Sequence, residues 1–382
     1  MQKKNYRKKY HSLLFIVYYL LFTLLNLSCE IISGPEVEEY EFDLPSVHIY
    51  IDSEDLGILN SNVYSNRCIP ARLVYNDHEY GVHLRHHGHL SRHFLKKSYK
   101  IKFKDTDLFE DRKKVVLSSQ WTDKSLLRSR LSFYLFQKAG LRTSDNRFIT
   151  LFINNDYIGI YYLIEPVDEF FLLNRGMEVG NLYKSKGHSR FTFEGGYDVR
   201  VGFKKKPIDD GNYSDLEYLI NILDTVPTDK LMSQIEKVLD VENYLNYLAV
   251  SVLITNWDGF FKNFYLHNEN FGRFKIIPWD LDLTFRNSTR SIYGQNNLSK
   301  RLLQVEAYRT YYKNRLRELM DSEFSDEVMF PMIDQLSNYI EEAYENDPFI
   351  RAKGCSLDKE AKAVKNFIQS RRSYLEEQLK DL

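Results

Sequence analysis

The chain has 382 residues, and the 43% of them that are hydrophobic exclude an intrinsically disordered protein. The formal net charge of −1 at pH 7 argues against a general nucleic-acid binder, which would be strongly basic. The length is sufficient for one large domain or for two ordinary ones.

The amino terminus combines a basic stretch with an apolar run. Basic side chains crowd residues 3–9, and the apolar run over residues 13–27 is shorter than the roughly 20 residues that a membrane span needs. Ser28 and Cys29 follow, and a small residue before cysteine resembles a bacterial lipobox. We predict a lipoprotein signal peptide over residues 1–29, with a lipid anchor on Cys29 that holds the exported protein on the extracytoplasmic face of the cell membrane or outer membrane. An ordinary signal peptide and an uncleaved anchor are the alternatives.

An acidic tether is predicted over residues 30–45, because Ser33, Gly34 and Pro35 break regular structure and several glutamates follow them. From Ser46 onward the pattern alternates as strands do. Candidate strands cover residues 47–51, 71–75, 80–85, 98–103 and 114–117. A helix over residues 125–139 follows, and then two strands over 147–153 and 159–165, joined by a hairpin turn at 154–157.

The segment between the third and fourth strands carries Arg85, Gly88, Ser91 and Arg92 among several histidines. Alternation along a strand separates the histidines between two faces, so a zinc site is the weaker interpretation. A loop that covers phosphate groups is the better one, with Arg85, Ser91 and Arg92 as candidate contacts. The spacing does not match a P-loop.

Lysines are frequent in the next strand, and a lysine is needed to steady the phosphates in phosphoryl transfer. Lys97 or Lys100 is predicted to point toward a bound nucleotide, and the other lysines are interpreted as solvated edge residues. Aromatic side chains could stack on adenine, and Tyr157, Tyr161 and Trp279 are the candidates.

The second half of the chain is mostly helical. Candidate helices cover residues 214–224, 228–239, 241–255, 309–320, 327–344 and 357–379, and a short hairpin is formed by residues 264–267 and 273–278. The pattern predicts an α+β protein with a β-rich N-terminal lobe over residues 46–165, a helical C-terminal lobe over residues 166–382 and a cleft between them.

Asp258 and Asn263 follow the end of a long apolar helix. Protein kinases use an Asp and an Asn at this spacing, the Asp for the hydroxyl proton of the substrate and the Asn for a metal ion. After the short hairpin come Asp280 and Asp282, where kinases place a second metal-binding carboxylate. We interpret Asp258 as catalytic and Asn263, Asp280 and Asp282 as metal ligands. A chance spacing and a solvated turn are the alternatives.

Several segments, taken in order, resemble the CotH kinase family, which is named for a bacterial spore-coat protein. The strand that begins Lys96-Lys97-Ser98-Tyr99 and the helix start Asp123-x-Ser125-x-x-Arg128 are two of them. The others are residues 85–92, 152–161, 165–168, 180–184, 256–263 and 279–282. Two departures fall in the first segment, where His87 replaces the usual arginine and His89-Leu90 replaces Asn-Ser.

This resemblance implies an atypical protein-kinase-like fold that binds ATP with Mg²⁺ or Mn²⁺ and phosphorylates Ser or Thr of proteins. It implies Asp258 as the catalytic carboxylate, Asn263 and Asp280 as metal ligands, and Trp279 against adenine. The expected partners are a nucleotide, a protein substrate at the surface or secreted, and a lipid anchor, with no nucleic acid. The alternative is a non-catalytic surface or adhesion module that retains the fold, since neutral histidine at position 87 removes a permanent charge.

Overall fold

The computed structural model describes residues 42–269 and 272–382. The predicted signal peptide, Cys29 and residues 30–41 of the predicted tether lie outside the described residues. Within them, no helix is both long enough and apolar enough to span a bilayer.

Seven strands close into a barrel in the order β1-β2-β3-β4-β5-β7-β6. All neighbours are antiparallel except β1 and β6, which run parallel and complete the closure. The structure confirms the seven strands expected from alternation. They are β1 (Ser46–Tyr50), β2 (Ile69–Tyr75), β3 (His78–His87), β4 (Ser98–Lys102), β5 (Lys114–Ser118), β6 (Asn146–Ile153) and β7 (Asp156–Ile164).

The barrel interior is filled by every second side chain of its strands, as the period of a β-strand requires. On β3 these are Val82, Leu84 and His86, so the side chains of Arg85 and His87 project outward. The hairpin turn between β6 and β7 is also confirmed. Asn154 and Asn155 both adopt left-handed backbone conformations there, with φ of 52° and 72°, which two-residue hairpin turns require and which Asn tolerates.

A second sheet has the order β11-β10-β8-β9, with all neighbours antiparallel. Its strands are β8 (Asn181–Lys186), β9 (Phe203–Lys206), β10 (Lys262–Asn268) and β11 (Lys275–Pro278). The β10–β11 hairpin was predicted, but β8 and β9 were not. Both of these strands are short and rich in lysine, so neither carries an apolar alternation from which a strand could be inferred.

The helices surround a larger hydrophobic core that includes the inner face of the second sheet. The six long helices predicted in the second half are confirmed within a few residues at each end, and the mixture of strands and helices confirms the α+β class. The helices are α1 (Ser53–Ser61), α2 (Arg128–Lys138), α3 (Glu169–Leu173), α4 (Val199–Gly202), α5 (Ser214–Thr225), α6 (Thr228–Ile235), α7 (Val241–Leu253), α8 (Asn297–Leu302), α9 (Glu306–Asp321), α10 (Asp326–Asn346), α11 (Pro348–Lys353) and α12 (Leu357–Gln378).

His86 is a titratable group inside the barrel, with its ring 5.4 Å from that of Tyr99. Burial, together with the positive charges of Lys97 and Arg92, lowers the pKa of His86 from 6.5 to about 4. The unfolded chain therefore binds one more proton than the folded chain between these two pH values. Because of this difference, His86 should lower the free energy of unfolding as the pH falls through 6.5, by roughly 3 kcal/mol in total at pH 4, and its contribution to the slope should fade about one unit above pH 6.5.

We expect His86→Phe to flatten the dependence of unfolding free energy on pH in this window, because phenylalanine fills the same space without titrating. Urea unfolding at several pH values between 4.5 and 7.5 measures the slope. His83→Phe on the same strand is the matched control, since the His83 side chain is exposed and remains in water after folding. Equal slopes for His86→Phe and the wild type would contradict the prediction.

Candidate active site

Asp258 begins a short 3-10 turn, Asp258–Phe260, shortly after α7. The helix ends where Thr255 adopts a left-handed conformation with φ of 52°, and the Asn256 amide donates to the Ser251 carbonyl at 2.7 Å. The Asp258 side chain is 29% exposed, and the Lys262 ammonium lies 3.0 Å from its Oδ2. Asp258 is thus carried by the end of a buried helix and remains reachable from solvent.

Gly259 fixes the backbone beside Asp258. A Cβ atom at this position would lie 2.3 Å from Nδ2 of Asn256 and 2.6 Å from the Tyr247 hydroxyl oxygen, so only glycine fits. The Tyr247 hydroxyl donates to the Gly259 carbonyl at 2.8 Å. Buried side chains therefore hold the turn from the inside.

The β10–β11 hairpin brings Asn263 and Asp280 together, although they are 17 residues apart. Asn263 Nδ2 donates to the Asp280 carbonyl at 3.1 Å, and the Trp279 amide donates to the Asn263 carbonyl at 3.1 Å. Both residues adopt left-handed conformations, with φ of 63° and 57°, which Asn and Asp tolerate best among residues with a side chain. The hairpin thus places two of the predicted metal ligands side by side.

Asp280 lies in a strongly charged environment. Its side chain touches solvent, yet the surrounding protein displaces enough water to raise the pKa of the carboxyl group above its usual range. The positive charges of Lys184 and Lys262 oppose this increase, and the negative charge of Asp258 adds to it. Asp258 and Asp280 are therefore close enough to repel each other, and a divalent cation would relieve that repulsion.

Asp282 is tied to a different segment. Its Oδ2 accepts a hydrogen bond from the Thr122 hydroxyl at 2.5 Å, and Arg286 donates to the Thr122 carbonyl at 2.6 Å. Burial and the charge of Asp280 raise the pKa of Asp282 to about 7. Asp282 thus belongs to the same acidic group as Asp280. Its hydrogen bond to Thr122 also connects this group to the segment that precedes α2.

The donor atoms of this acidic group fit a hard divalent cation. Among the described residues, no cluster of three or more His, Cys, Asp or Glu side chains offers a metal site. The candidate ligands are instead carboxylate and amide oxygens, from Asp280, Asn263 and Asp282. Such a partial set suits Mg²⁺ or Mn²⁺, which would complete its coordination with water and with phosphate oxygens of a nucleotide.

Basic side chains from four strands lie close to one another, and one of them, Lys184, acts on the carboxyl group of Asp280. Arg85 on β3 lies opposite Lys100 on β4, and Lys184 and Lys206 come from β8 and β9. Burial and the charges of Lys114, Arg85 and Lys206 lower the pKa of Lys100 to about 8, which shows how closely these cations are grouped. A concentration of positive charge of this kind favours a polyanionic ligand.

His87 lies among these cations. Burial and the charges of Lys184, Lys100, Arg85 and Arg92 lower the pKa of His87 to about 3, so its ring is neutral at pH 7. The departure from arginine at this position therefore removes a charge, but four neighbouring basic side chains act on the ring.

Arg92, Lys97 and Ser91, all predicted nucleotide contacts, have structural partners. The buried Arg92 guanidinium donates to the Tyr64 carbonyl at 2.8 Å and to Asn66 Oδ1 at 3.0 Å, and the Lys97 ammonium donates to the Arg92 carbonyl at 2.7 Å. The Ser91 hydroxyl packs beneath Gly88, whose φ is 99°. These contacts hold the segment after β3 against the loop before β2, so we leave the three side chains out of the proposed nucleotide contacts.

Of the three aromatic candidates, Tyr161 is buried in the barrel and its hydroxyl donates to the Lys97 carbonyl at 2.8 Å, so we leave it out. The other two differ in their surroundings. Tyr157 packs against Phe42 and Phe152, with centroids 4.8 and 5.3 Å away, and its hydroxyl donates to the Ala343 carbonyl, so we leave it out as well. Trp279 directly precedes Asp280, is 7% exposed and meets Tyr265 edge-on at 6.1 Å. Of the two, Trp279 alone adjoins the acidic group.

Sequence reasoning missed three lysines of this region, Lys184, Lys206 and Lys262. It also missed Thr122, whose hydroxyl donates a hydrogen bond to Asp282. Lys262 could have been found, because its spacing of four residues from Asp258 is a recognisable ion-pair spacing. Lys184 and Lys206 lie on the two strands that were not predicted, so no local signal indicated where they point.

Comparison with known proteins gives a consistent result. The family model for the CotH kinase protein matches residues 84–375. Inner spore coat protein H of Bacillus subtilis (strain 168) is 28% identical over 360 residues, which cover 88% of this chain and 98% of that protein. The inner spore coat protein H-like protein of the same organism is 25% identical over 74% of this chain and 86% of that protein.

More distant similarities extend to fungi and to a solved structure. Spore coat protein homolog 1 of Rhizopus delemar is 19% identical, over 55% of this chain and 39% of that protein. The crystal structure of a Helicobacter pylori proinflammatory kinase, CtkA, aligns with 84% of this chain and 95% of its own at 8% identity, with a TM-score of 0.28. That score is too low to support any statement about the fold.

Proposed function

This chain belongs to the CotH kinase family, and on that premise we propose that it transfers a phosphoryl group from ATP to Ser or Thr side chains of surface or secreted proteins. The observation that carries the proposal is the hairpin in which Asn263 lies beside Asp280, near Asp258 and near the positive charges of two lysines. Phosphoryl transfer needs these parts, because its catalysis consists mostly of positioning and of stabilising charge.

The proposed roles follow from the position of each side chain. Asp258 accepts the proton of the attacking hydroxyl group, since it is supported by a rigid turn and open to solvent. Asn263, Asp280 and Asp282 hold Mg²⁺ or Mn²⁺, which neutralises charge on the phosphates when bound. Arg85 and Lys100 contact the phosphates, and Trp279 lies against adenine.

We further propose that the protein acts outside the cytoplasm as a membrane-anchored lipoprotein. The lipobox-like ending at Cys29 motivates this proposal, and relatives that are named as spore coat proteins support a surface location. Metabolic labelling with a fatty acid in a bacterial host should label the wild type and not Cys29→Ala. Equal labelling of both would contradict the anchor.

The catalytic proposal is tested with ATP labelled either at the γ or at the α phosphate. The purified protein is incubated with each nucleotide, Mg²⁺ or Mn²⁺ and candidate proteins rich in Ser and Thr. We expect transfer of the γ label only, with its loss on addition of a chelator. Transfer of the α label would instead indicate AMP transfer, and absence of both labels with every acceptor would contradict the enzymatic role.

The second candidate function is a non-catalytic surface-binding module, and the neutral ring of His87 in the phosphate region favours it. Thermal unfolding with and without nucleotide separates the two. A bound nucleotide at 100 times its dissociation constant stabilises the folded protein by about 2.7 kcal/mol. No shift at millimolar ATP with either metal ion would favour the module.

A further inference from the structure

Lys184 lies in the middle of the second sheet and has no role in the function proposed so far. On β8 it pairs with Tyr265 of β10 on one side and with Lys204 of β9 on the other. Residues directly opposite each other in antiparallel strands project from the same face. The ammonium group is accordingly 5.8 Å from the centre of the Tyr265 ring, which itself meets Trp279. Lys184 therefore reaches toward Trp279 and Asp280.

The charge of Lys184 acts on both sides of the site. Among the charged groups, Lys184 lowers the pKa of Asp280 most, and it also lowers the pKa of His87 most. Asp280 belongs to the acidic group and His87 to the basic side, so Lys184 lies between them. Its side chain is only partly buried and keeps access to solvent.

Most other lysines near the site are already engaged. Lys114 pairs with Asp168 at 3.2 Å, Lys97 donates to the Arg92 carbonyl at 2.7 Å, and Lys262 pairs with Asp258 at 3.0 Å. Throughout residues 42–269 and 272–382, by contrast, no carboxylate forms an ion pair with Lys184. A partly buried ammonium group without a carboxylate partner, close to a candidate metal site, is suited to bind a phosphate oxygen.

We propose that Lys184 binds the terminal phosphate of ATP and holds the phosphoryl group between Asp258 and the metal ligands. The inference rests on the function proposed above. The hydroxyl oxygen of the acceptor attacks the γ-phosphorus and forms a new P–O bond. The bond between the γ-phosphorus and the bridging oxygen of the β-phosphate breaks, and ADP leaves with the electron pair of that bond. The hydroxyl proton passes to Asp258, while Lys184 remains protonated and stabilises the negative charge on the transferred group.

Affinities for AMP, ADP and ATP test this assignment, measured by calorimetry on the full chain with Mg²⁺. A hydrogen bond to a charged group predicts that Lys184→Met weakens ATP binding about 10- to 100-fold and changes AMP binding by less than about threefold. Lys184→Arg, which keeps the charge, should retain most of the ATP affinity. Lys204→Met is the matched control, because Lys204 is the exposed cross-strand neighbour, and it should bind all three nucleotides as the wild type does.

Two outcomes would overturn the assignment. Unchanged ATP affinity in Lys184→Met would remove Lys184 from the site, and an equal loss for all three nucleotides would place its contact away from the terminal phosphate. Either result leaves the proposed function standing if the wild type binds ATP. A wild type that binds no nucleotide would contradict the proposed function itself. If Lys184→Met does not fold, Lys184→Gln is measured in the same way.

Discussion

Replacing Asp258 with Asn is expected to lower the rate of phosphoryl transfer by a factor of about 10² to 10⁴, the usual contribution of a positioned proton acceptor. Asparagine has the same shape but cannot accept the hydroxyl proton. Stability should change little, because the pair that Asp258 forms with Lys262 is partly exposed to solvent and such pairs contribute about 1 kcal/mol. ATP affinity should also be retained, so the loss should appear in kcat rather than in KM.

The measurement compares initial rates of γ-label transfer at saturating ATP for the wild type and Asp258→Asn. Asp334→Asn serves as the control, since Asp334 is an exposed carboxylate on α10 that also pairs with a lysine, Lys365. It should react at the wild-type rate. If Asp258→Asn retains a rate within threefold of the wild type, Asp258 is not the catalytic carboxylate.

The second large effect is expected at Lys96, whose side chain is 2% exposed. Its ammonium donates to Asp347 Oδ2 and to the Ile160 carbonyl, both at 2.6 Å, and joins β7 to the junction of α10 and α11. Burial lowers the pKa of Lys96, and Asp347 opposes that change. Lys96→Met should destabilise the protein by about 3 to 5 kcal/mol, because it leaves the fully buried Asp347 carboxylate without its counter-charge.

Urea unfolding measures the loss of stability in Lys96→Met, and Lys365→Met is the control. Lys365 also pairs with an aspartate, Asp334, at 2.5 Å, but in solvent, so its replacement should cost about 1 kcal/mol or less. The double variant Lys96→Met with Asp347→Asn should lose less than the sum of its two single changes, since no charge then remains buried. A cost for Lys96→Met equal to that of Lys365→Met would show that the buried pair does not support the fold.

Local patterns predicted a large part of this protein. Alternation of apolar residues gave the barrel strands, because every barrel strand buries one face, and the spacing of apolar residues gave the long helices. The same kind of signal located the hairpin that joins Asn263 to Asp280. It failed for β8 and β9, where lysines occupy half of the ten positions and burial comes from contacts with distant segments.

The roles of individual basic residues could not be read in the same way. Lys96, Lys97, Lys100 and Lys184 are equivalent in sequence terms, yet the structure gives each a different environment. Lys96 is buried against a residue 251 positions away, and Lys97 donates a hydrogen bond to the Arg92 carbonyl. Lys100 lies among other basic side chains, and Lys184 acts on the carboxyl group of Asp280. Arg92 was a candidate phosphate contact, but its guanidinium secures the loop before β2.

Spacing along the chain, which strand and helix periodicity preserve, was enough to predict the class of fold, the family resemblance, and the order Asp258, Asn263, Asp280. Which cations lie near those carboxylates, and which are bound elsewhere, became known from the folded chain. A lysine has the same charge and the same local propensity in every setting, so its role depends on groups that folding brings near it from distant parts of the chain.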